Sequence, residues 1–293
     1  MYQLIDGKKL ADRIINDVAK RIVTESIEPQ LAVILVGKDP ASHLYVRLKE
    51  HACKETGIRF HKYLISDEEE ESKIIETIRF LNRDNKIDAI LIQLPLPQKF
   101  SQDRVTSALD YRKDVDGFHR KNLARLLQGE KQRILPGLVF GIWKLIESTG
   151  QKNYQAKEVL IISKSKEFTL PLQIVLKSQG LCVHTALPFD PNLEELSRLA
   201  DIIVTAAGKA GFITPSMVKE GVTIIDVGIT TNGEKTVGDV DFSSVAPKTA
   251  FITPVPGGVG PMTVAMLMYN TFLLAKERKG QRWGTKNADG IKT

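Results

Sequence analysis

The chain has 293 residues, of which 42% are hydrophobic and 26% charged, a composition typical of a globular protein that excludes disordered, collagen-like and coiled-coil chains. No apolar run reaches about 18 residues, so the sequence predicts no membrane-spanning helix and no membrane partner. The net charge is +6, but +4 of it falls within residues 276–293, and no motif indicates a nucleic-acid partner.

Short β-branched apolar runs alternate with amphipathic helical patterns along the chain. The first helical stripe includes Ile14, Val18 and Val23, and a second includes Ile74 and Ile78. The apolar runs are continuous, as in strands buried on both faces of a parallel sheet, so the sequence predicts the α/β class. The predicted strands are residues 31–36, 87–94, 159–162, 202–205, 222–227 and 251–253.

The chain length favours two domains of roughly 150 residues each. The polar stretch 110–122 separates two series of strands and helices, and the chain crosses back near residues 254–261. We therefore expect two α/β domains flanking a cleft, one formed by residues 1–117 with 262–293 and the other by residues 118–261. The second is expected to be a Rossmann-like doubly wound parallel sheet.

Tyr45 and Lys49 lie four residues apart on a predicted helix that Asp39 caps and Gly57 ends. That spacing places the phenol and the amine on one face, where partial burial of the lysine would suit proton transfer. The alternative is a solvated lysine lying over a packed tyrosine. A short-chain dehydrogenase is excluded because Val36–Gly37–Lys38 lacks the glycines of that family's first turn.

Two further strings carry polar residues next to apolar segments. Gln93 interrupts an apolar strand near its carboxyl end, where open α/β sheets bind ligands, although a buried structural amide is an equal alternative. Asp116 belongs to an Asp-Val-Asp-Gly-Phe string, which as a bare motif is typical of an Asp-rich turn.

Residues 254–262 read Pro-Val-Pro-Gly-Gly-Val-Gly-Pro-Met, the most unusual string in the chain. Glycines between prolines allow a close backbone approach to a flat ligand. Pro261 is expected to open a helix over residues 262–279, and residues 280–293 read as a frayed polar end. The five histidines show no metal-ligand spacing, so the sequence predicts no metal site.

Together these strings resemble the methylenetetrahydrofolate dehydrogenase/methenyltetrahydrofolate cyclohydrolase family. The resemblance runs from about residue 6 to residue 270 and includes the Tyr45–Lys49 helix, residues 92–97, residues 113–118 and residues 253–263, in the family's order. It implies oxidation of 5,10-methylene-tetrahydrofolate with NADP, followed by hydrolysis of the 5,10-methenyl product to 10-formyl-tetrahydrofolate.

The same resemblance implies roles for individual residues. Lys49 would transfer protons with Gln93 assisting and Tyr45 tuning it, and Asp116 would hydrogen-bond the pterin. The implied folate contacts are Tyr45, Ile92, Gln93, Leu94, Asp116, Pro256, Gly257, Gly258, Val259 and Pro261. The resemblance further implies a cytoplasmic homodimer that acts in one-carbon metabolism and purine biosynthesis, and the lack of a secretory leader agrees with that location.

The nucleotide-binding turn departs from the family pattern. The cofactor contacts implied by the resemblance are Ser163, Lys164, Ser165 and Ile229, but both glycines usual at this turn are replaced. Lys164 offers a point charge where the family has an arginine. Three functions stay open on the sequence: a bifunctional enzyme using NADP or NAD, a cyclohydrolase with weakened or lost dehydrogenase, and a non-catalytic folate- or partner-binding module.

Overall fold

The structure, a computed structural model, describes residues 2–151, 153–232 and 235–280. The predicted frayed end lies outside the described residues from residue 281 onward. The strands are β1 (Gln3–Leu4), β2 (Gln30–Val36), β3 (Arg59–Ile65), β4 (Ala89–Ile92), β5 (Glu158–Ser163), β6 (Cys182–Ala186), β7 (Ile202–Ala206), β8 (Val222–Asp226), β9 (Thr230–Asn232), β10 (Lys235–Val237) and β11 (Thr249–Ile252). The α-helices are α1 (Gly7–Thr24), α2 (Pro40–Thr56), α3 (Glu71–Arg83), α4 (Gln102–Ser107), α5 (Arg120–Leu127), α6 (Gly137–Glu147), α7 (Lys166–Ser178), α8 (Leu193–Leu199), α9 (Phe242–Val245) and α10 (Val259–Arg278).

The chain folds into two compact units, each built on its own parallel sheet. The three-stranded unit comprises Asp12–Gly137 and the chain from Val264 onward, and the six-stranded unit comprises the chain up to Ala11 and Leu138–Thr263. The division expected from the sequence at residue 117 differs from these units. The N-terminus joins the six-stranded unit because β1 pairs with β11, and residues up to Gly137 stay with the three-stranded unit because the Gly137 amide bonds the Asp116 carbonyl.

In the three-stranded unit, the sheet has the order β3-β2-β4 and every pair is parallel. Strand β2 is central and almost fully buried, and Ile34 and Ile90 pack with Ile74, Ile78 and Leu81 of α3. The chain leaves β2 toward β3 on one side and later returns to β4 on the other. Ligands of open α/β sheets bind at the carboxyl ends of strands where the order reverses in this way, so β2 and β4 mark a candidate site.

The six-stranded unit contains a parallel sheet of order β1-β11-β8-β7-β5-β6. Here the order reverses at β5, which has β6 on one side and β7 on the other. The carboxyl end of β5 leads directly into α7, and the carboxyl end of β7 leads into the loop after Ala206. This is the arrangement of a doubly wound sheet, with its binding crevice expected beside β5 and β7.

The predicted α/β class and parallel strands are confirmed, with differences of a few residues at strand ends. Three details differ. Val23 is 77% exposed rather than buried, and α10 begins at Val259 rather than at residue 262. Strands β1, β3, β6, β9 and β10 were not predicted. Pro261 is tolerated inside α10 because the first amides of a helix need no intrahelical acceptor. No helix in the described part of the chain is both long and apolar enough to cross a membrane.

Candidate active site

Lys49 and Gln93 meet at the carboxyl ends of β2 and β4. The Lys49 Nζ atom donates to the Gln93 Oε1 atom over 2.8 Å, and the Gln93 Nε2 atom donates to the Leu94 carbonyl over 2.7 Å. The second bond fixes the orientation of the amide, so its oxygen faces the amine. The buried amide of Gln93 is therefore one half of a polar pair, as well as a satisfied core group.

Local sequence explains why α2 presents Lys49 at this position. Asp39 caps the helix by accepting from the Ser42 amide over 2.7 Å, and Gly57 ends it in the left-handed conformation at φ 80°. Both helix ends were predicted from the sequence and are confirmed. Tyr45 lies four residues before Lys49 on the same face, and both side chains are half-buried.

Asp116 is brought to this site by an extension of the sheet. The Ile90 amide bonds the Lys113 carbonyl over 2.7 Å, so the segment before Asp116 runs parallel to β4. Ile92 is buried at the end of β4, whereas Leu94 is 36% exposed just beyond it. The structure thus gathers the predicted residues Tyr45, Lys49, Gln93 and Asp116, with Ile92 and Leu94, within the three-stranded unit.

The ionisable groups of this cluster have pKa values displaced toward neutrality. Burial lowers the pKa of Lys49, and the negative charge of Asp116 opposes that shift. Burial raises the pKa of Asp116 to about 6, with Lys49 lowering it and Asp114 raising it. An amine whose pKa is lowered, beside a carboxyl group with a pKa of about 6, can serve general acid–base chemistry.

The proline–glycine string lies in the six-stranded unit, where its glycines have packing reasons. A Cβ atom on Gly258 would lie 2.7 Å from both the Pro254 carbonyl oxygen and the Thr253 Cβ atom, and one on Gly7 would collide with Gly258. Gly257 has φ +111° and accepts from the Lys8 amide over 3.0 Å. Part of this unusual string is therefore explained by close packing. The predicted residues Pro256, Gly257, Gly258, Val259 and Pro261 follow β11 at its carboxyl end.

The turn between β5 and α7 carries the predicted cofactor contacts Ser163, Lys164 and Ser165. Ser163 Oγ accepts from the Ser165 amide over 3.2 Å, and Ser165 Oγ accepts from the Phe168 amide over 3.2 Å. Lys164 and Lys166 are exposed. These cations lie at the start of a helix, next to the strand at which the strand order reverses. A site of this kind can bind the phosphates of a dinucleotide.

Glu167 places a negative charge at the same helix end as the cations Lys164 and Lys166. Its carboxylate accepts from the Ser165 hydroxyl over 3.0 Å, and its pKa is lowered by its own backbone amide, then by Ser165 and Lys166. The first turn of α7, which Ser165 caps, thus carries a negative charge of the chain itself. Ile229, the other predicted contact, is 56% exposed after β8.

Two buried aspartates that the sequence interpretation did not single out organise the loops after β7 and β8. Asp239 accepts from the Thr205 hydroxyl and from the Ala207 and Lys209 amides over 2.6–3.1 Å. Asp226 accepts from the Gly228, Asp239 and Val240 amides over 2.9–3.0 Å. Acidic residues followed by glycine or valine at strand ends were the available signal. Burial raises the pKa of Asp226 to about 6 against these donors.

Acidic, histidine and cysteine side chains form no group of three able to hold a metal ion within the described ranges. The sulfur of Cys53 is buried against Met268, and burial raises the pKa of this thiol to about 12, so it is neither a ligand nor a nucleophile at neutral pH.

Comparison with known sequences matches both units to one family. The profile "Tetrahydrofolate dehydrogenase/cyclohydrolase, catalytic domain" matches residues 5–116, and "Tetrahydrofolate dehydrogenase/cyclohydrolase, NAD(P)-binding domain" matches residues 136–279. The bifunctional protein FolD of Protochlamydia amoebophila is 45% identical over 283 residues, covering 92% of this chain and 96% of that protein.

Solved structures agree with the sequence matches. The crystal structure of the bifunctional enzyme FolD, methylenetetrahydrofolate dehydrogenase/cyclohydrolase, from Campylobacter jejuni is 39% identical with a TM-score of 0.90, covering 95% of this chain and 100% of that one. The methylenetetrahydrofolate dehydrogenase-cyclohydrolase of Trypanosoma brucei, solved with NADP cofactor and inhibitor, is 28% identical with a TM-score of 0.88, covering 94% and 98%.

Proposed function

Because the chain belongs to the tetrahydrofolate dehydrogenase/cyclohydrolase family, we propose that it oxidises 5,10-methylene-tetrahydrofolate with NADP and hydrolyses the 5,10-methenyl product to 10-formyl-tetrahydrofolate. The observation that carries this proposal is the contact of the Lys49 amine with the fixed Gln93 amide, beside Asp116. The bifunctional relatives, at 39% and 45% identity over nearly the whole chain, support both activities.

Hydrolysis requires water to lose one proton as it adds to the cationic methenyl carbon. The resulting hydroxyl group loses its proton as the formyl carbonyl forms, and the ring nitrogen gains one proton as its bond to that carbon breaks. The net reaction releases one proton. Lys49 in its neutral form accepts the proton from water, and its lowered pKa makes that form accessible. Gln93 keeps the amine in place through the 2.8 Å bond. In the proposed complex Asp116, with a pKa of about 6, hydrogen-bonds the pterin ring.

The residues at the β5–α7 turn fit a dinucleotide, although they lack the glycines usual in the family. Lys164 and Lys166 supply the positive charge for phosphates, and the helix start supplies amides. Bound NADP would accept the hydride in the dehydrogenase reaction. The profile match to the NAD(P)-binding domain and the NADP complex of the Trypanosoma brucei relative support this cofactor.

We also propose that the functional domains are residues 1–117 with 262–293 for folate and residues 118–261 for the dinucleotide. The family resemblance further supports a cytoplasmic homodimer whose product enters purine biosynthesis. Sedimentation of the purified protein tests the dimer, with a single species at twice the chain mass of 32.6 kDa expected.

The function is tested by substituting Lys49. In Lys49→Met, hydrolysis of methenyl-tetrahydrofolate, followed by its absorbance, is expected to fall at least about 100-fold, since the base is lost. Lys54→Met is the matched control, because Lys54 lies on the same helix but is exposed and pairs with the surface residue Glu50. The control should keep parental rates, and both variants should keep the parental melting temperature.

Unchanged hydrolysis in Lys49→Met would refute the assigned base. The same assay with methylene-tetrahydrofolate and NADP, NAD or no cofactor measures the dehydrogenase separately. Reduction of NADP in step with folate oxidation is expected, whereas hydrolysis without any reduction of either dinucleotide would contradict the bifunctional proposal.

A further inference from the structure

The carboxylate of Asp114 binds the loop that carries Asp116. It accepts from the His119 amide over 2.8 Å and from the Asn122 side-chain amide over 3.1 Å, and the nearby Asp116 and Gly117 backbone amides also lower its pKa. The Asp114 side chain is buried, with the residue 6% exposed. Asn122 is held in turn by the Tyr111 carbonyl over 2.8 Å. The buried Asp114 carboxylate therefore holds together the turn of residues 114–122.

The other side of this turn is held by Asn270 of α10 and by the chain at the start of α6. Asn270, which is buried, donates to the Val115 and Leu135 carbonyls, each over 3.0 Å. The Gly137 amide donates to the Asp116 carbonyl over 3.2 Å. Thus the backbone carbonyl of Asp116 is bonded to the start of α6.

Gly117 makes this close packing possible. It has φ +77°, and a Cβ atom at this position would lie 2.9 Å from the Pro136 Cα atom. The carboxyl group of Asp116, by contrast, has no hydrogen-bond partner among the residues that the structure describes. The side chain that would meet the pterin is therefore positioned through its backbone alone.

From this geometry we propose that Asp114 is a positioning residue for Asp116: it fixes the turn that aims the Asp116 carboxyl group and places a second negative charge next to it. The proposal deepens the function proposed above and rests on it, because the consequence for folate binding requires that Asp116 contacts the substrate. Asp114 itself is buried beneath the turn and is not a catalytic residue.

Two charged groups act on Asp116. Lys49 of α2 favours the ionised form, and Asp114 favours the protonated form together with burial, so the pKa of Asp116 is about 6. Burial raises the pKa of Asp114 while its N–H donors lower it. Removing the charge of Asp114 is thus expected to lower the pKa of Asp116, whether or not the turn also loosens.

The decisive variant is Asp114→Asn. The asparagine side chain has nearly the same shape as aspartate and keeps one acceptor oxygen. It carries no charge, however, and its NH₂ group faces N–H donors to which it cannot bond. We expect the KM for methenyl-tetrahydrofolate to rise about tenfold, equivalent to the loss of one charge-assisted hydrogen bond. We also expect the pKa of Asp116, followed by carbon NMR of labelled aspartate, to fall, while NADP affinity measured by calorimetry is unchanged.

The matched control is Asp110→Asn. Asp110 lies in the same segment but bonds Arg112 rather than the turn of Asp116, so its variant should keep the parental KM and the parental titration of Asp116. A second test variant, Asn122→Ala, removes one donor to Asp114 without changing charge. This variant should raise the KM for methenyl-tetrahydrofolate about threefold. It tests the proposal if Asp114→Asn does not fold.

An Asp116 titration and a KM that stay parental in Asp114→Asn would overturn the proposal, as would a parental KM in Asn122→Ala if the first variant does not fold. A lowered melting temperature alone, with titration and KM unchanged, would show a merely structural role and also overturn it. If the parent protein binds no folate, the proposed function fails, and the Asp116 titration still decides whether Asp114 sets its ionisation.

Discussion

Asp116 shows how a single functional group alters the pH dependence of stability. Its pKa is raised from the ordinary value of about 3.9 to about 6 in the folded chain. The protonated form is therefore favoured by folding. The stabilisation from this group is complete below about pH 4 and is lost as the pH rises through about 6.

We predict that Asp116→Asn is more stable than the parent at pH 7.5, by about 2 kcal/mol, because the amide removes an ionised carboxyl group from a partly buried site. The gain should shrink as the pH falls and vanish near pH 4. Calorimetric melting at several pH values measures it. Folate turnover should fall in the same variant, so that activity and stability move in opposite directions.

Asp110→Asn is the control, because the pKa of Asp110 is shifted in the opposite direction. Hydrogen bonds from Arg112 lower the pKa of Asp110, so its contribution is present at neutral pH and is lost as the pH falls toward 4. This partly exposed pair contributes less than about 1 kcal/mol. A loss of stability in Asp116→Asn at pH 7.5, rather than a gain, would contradict the prediction.

At the scale of elements, the start of α7 combines an attractive and a repulsive feature for phosphate. Lys164 and Lys166 attract phosphate, whereas the Glu167 carboxylate, which accepts from the Ser165 hydroxyl at the helix end, repels it. A dinucleotide phosphate near this end would meet a negative charge at the place where a helix favours an anion.

We therefore predict that Glu167→Gln tightens NADP binding about fivefold at low salt, since a nearby like charge is removed, and that added salt reduces the gain. Calorimetric dissociation constants for NADP measure this change without any dependence on turnover. Glu194→Gln at the start of α8 is the control, because Glu194 is exposed and pairs with the exposed Arg198. Equal NADP affinity in parent and Glu167→Gln would show that the phosphates lie elsewhere.

The elements predicted from sequence were those whose pattern reflects burial on both faces. Strands β2, β5, β7 and β8 are continuous apolar runs and were identified to within a few residues. The edge strand β3 mixes polar and apolar residues without a regular pattern, and it forms a strand because β2 offers it a complete parallel ladder. Such pairing depends on a neighbour distant in sequence and leaves little local signal.

The candidate site was predictable to the extent that its residues sit at fixed distances from helix and strand ends. Lys49 follows from a capped helix, and Gln93 from the end of a strand. The position of the turn that carries Asp116 was not predictable, because it depends on Asn270 and Gly137, which lie far along the chain. The glycines of residues 254–262 were interpreted as ligand contacts, and for Gly258 the structure adds a packing reason.

At the scale of the whole molecule, the positive charge near the C-terminus is partly structural. Lys276 pairs with Glu25, just after α1, over 2.6 Å. Arg278 pairs with Asp88 and donates to the Asn85 carbonyl over 2.9 Å. These cations therefore anchor the end of α10 within the three-stranded unit. A charge count along the sequence could not separate such anchored cations from freely solvated ones.

Arg278 is the most consequential of these anchors because its partner is completely buried. The Asp88 side chain has no exposed surface, and its other donor is the Gln30 amide over 2.8 Å. Burial raises the pKa of Asp88, and the Gln30 amide and Arg278 oppose that shift. Without the guanidinium, an ionised carboxylate would remain in the interior, bonded within the described part of the chain by the Gln30 amide.

We predict that Arg278→Ala lowers the free energy of unfolding by about 3 kcal/mol at pH 8, and by less at pH 5, because a protonated Asp88 tolerates burial better. Denaturant unfolding at the two pH values measures the difference. Arg198→Ala removes an exposed pair with Glu194 at 3.8 Å and should cost less than about 0.5 kcal/mol at either pH. Equal losses in both variants, or a loss independent of pH, would mean that α10 is held by its apolar face alone.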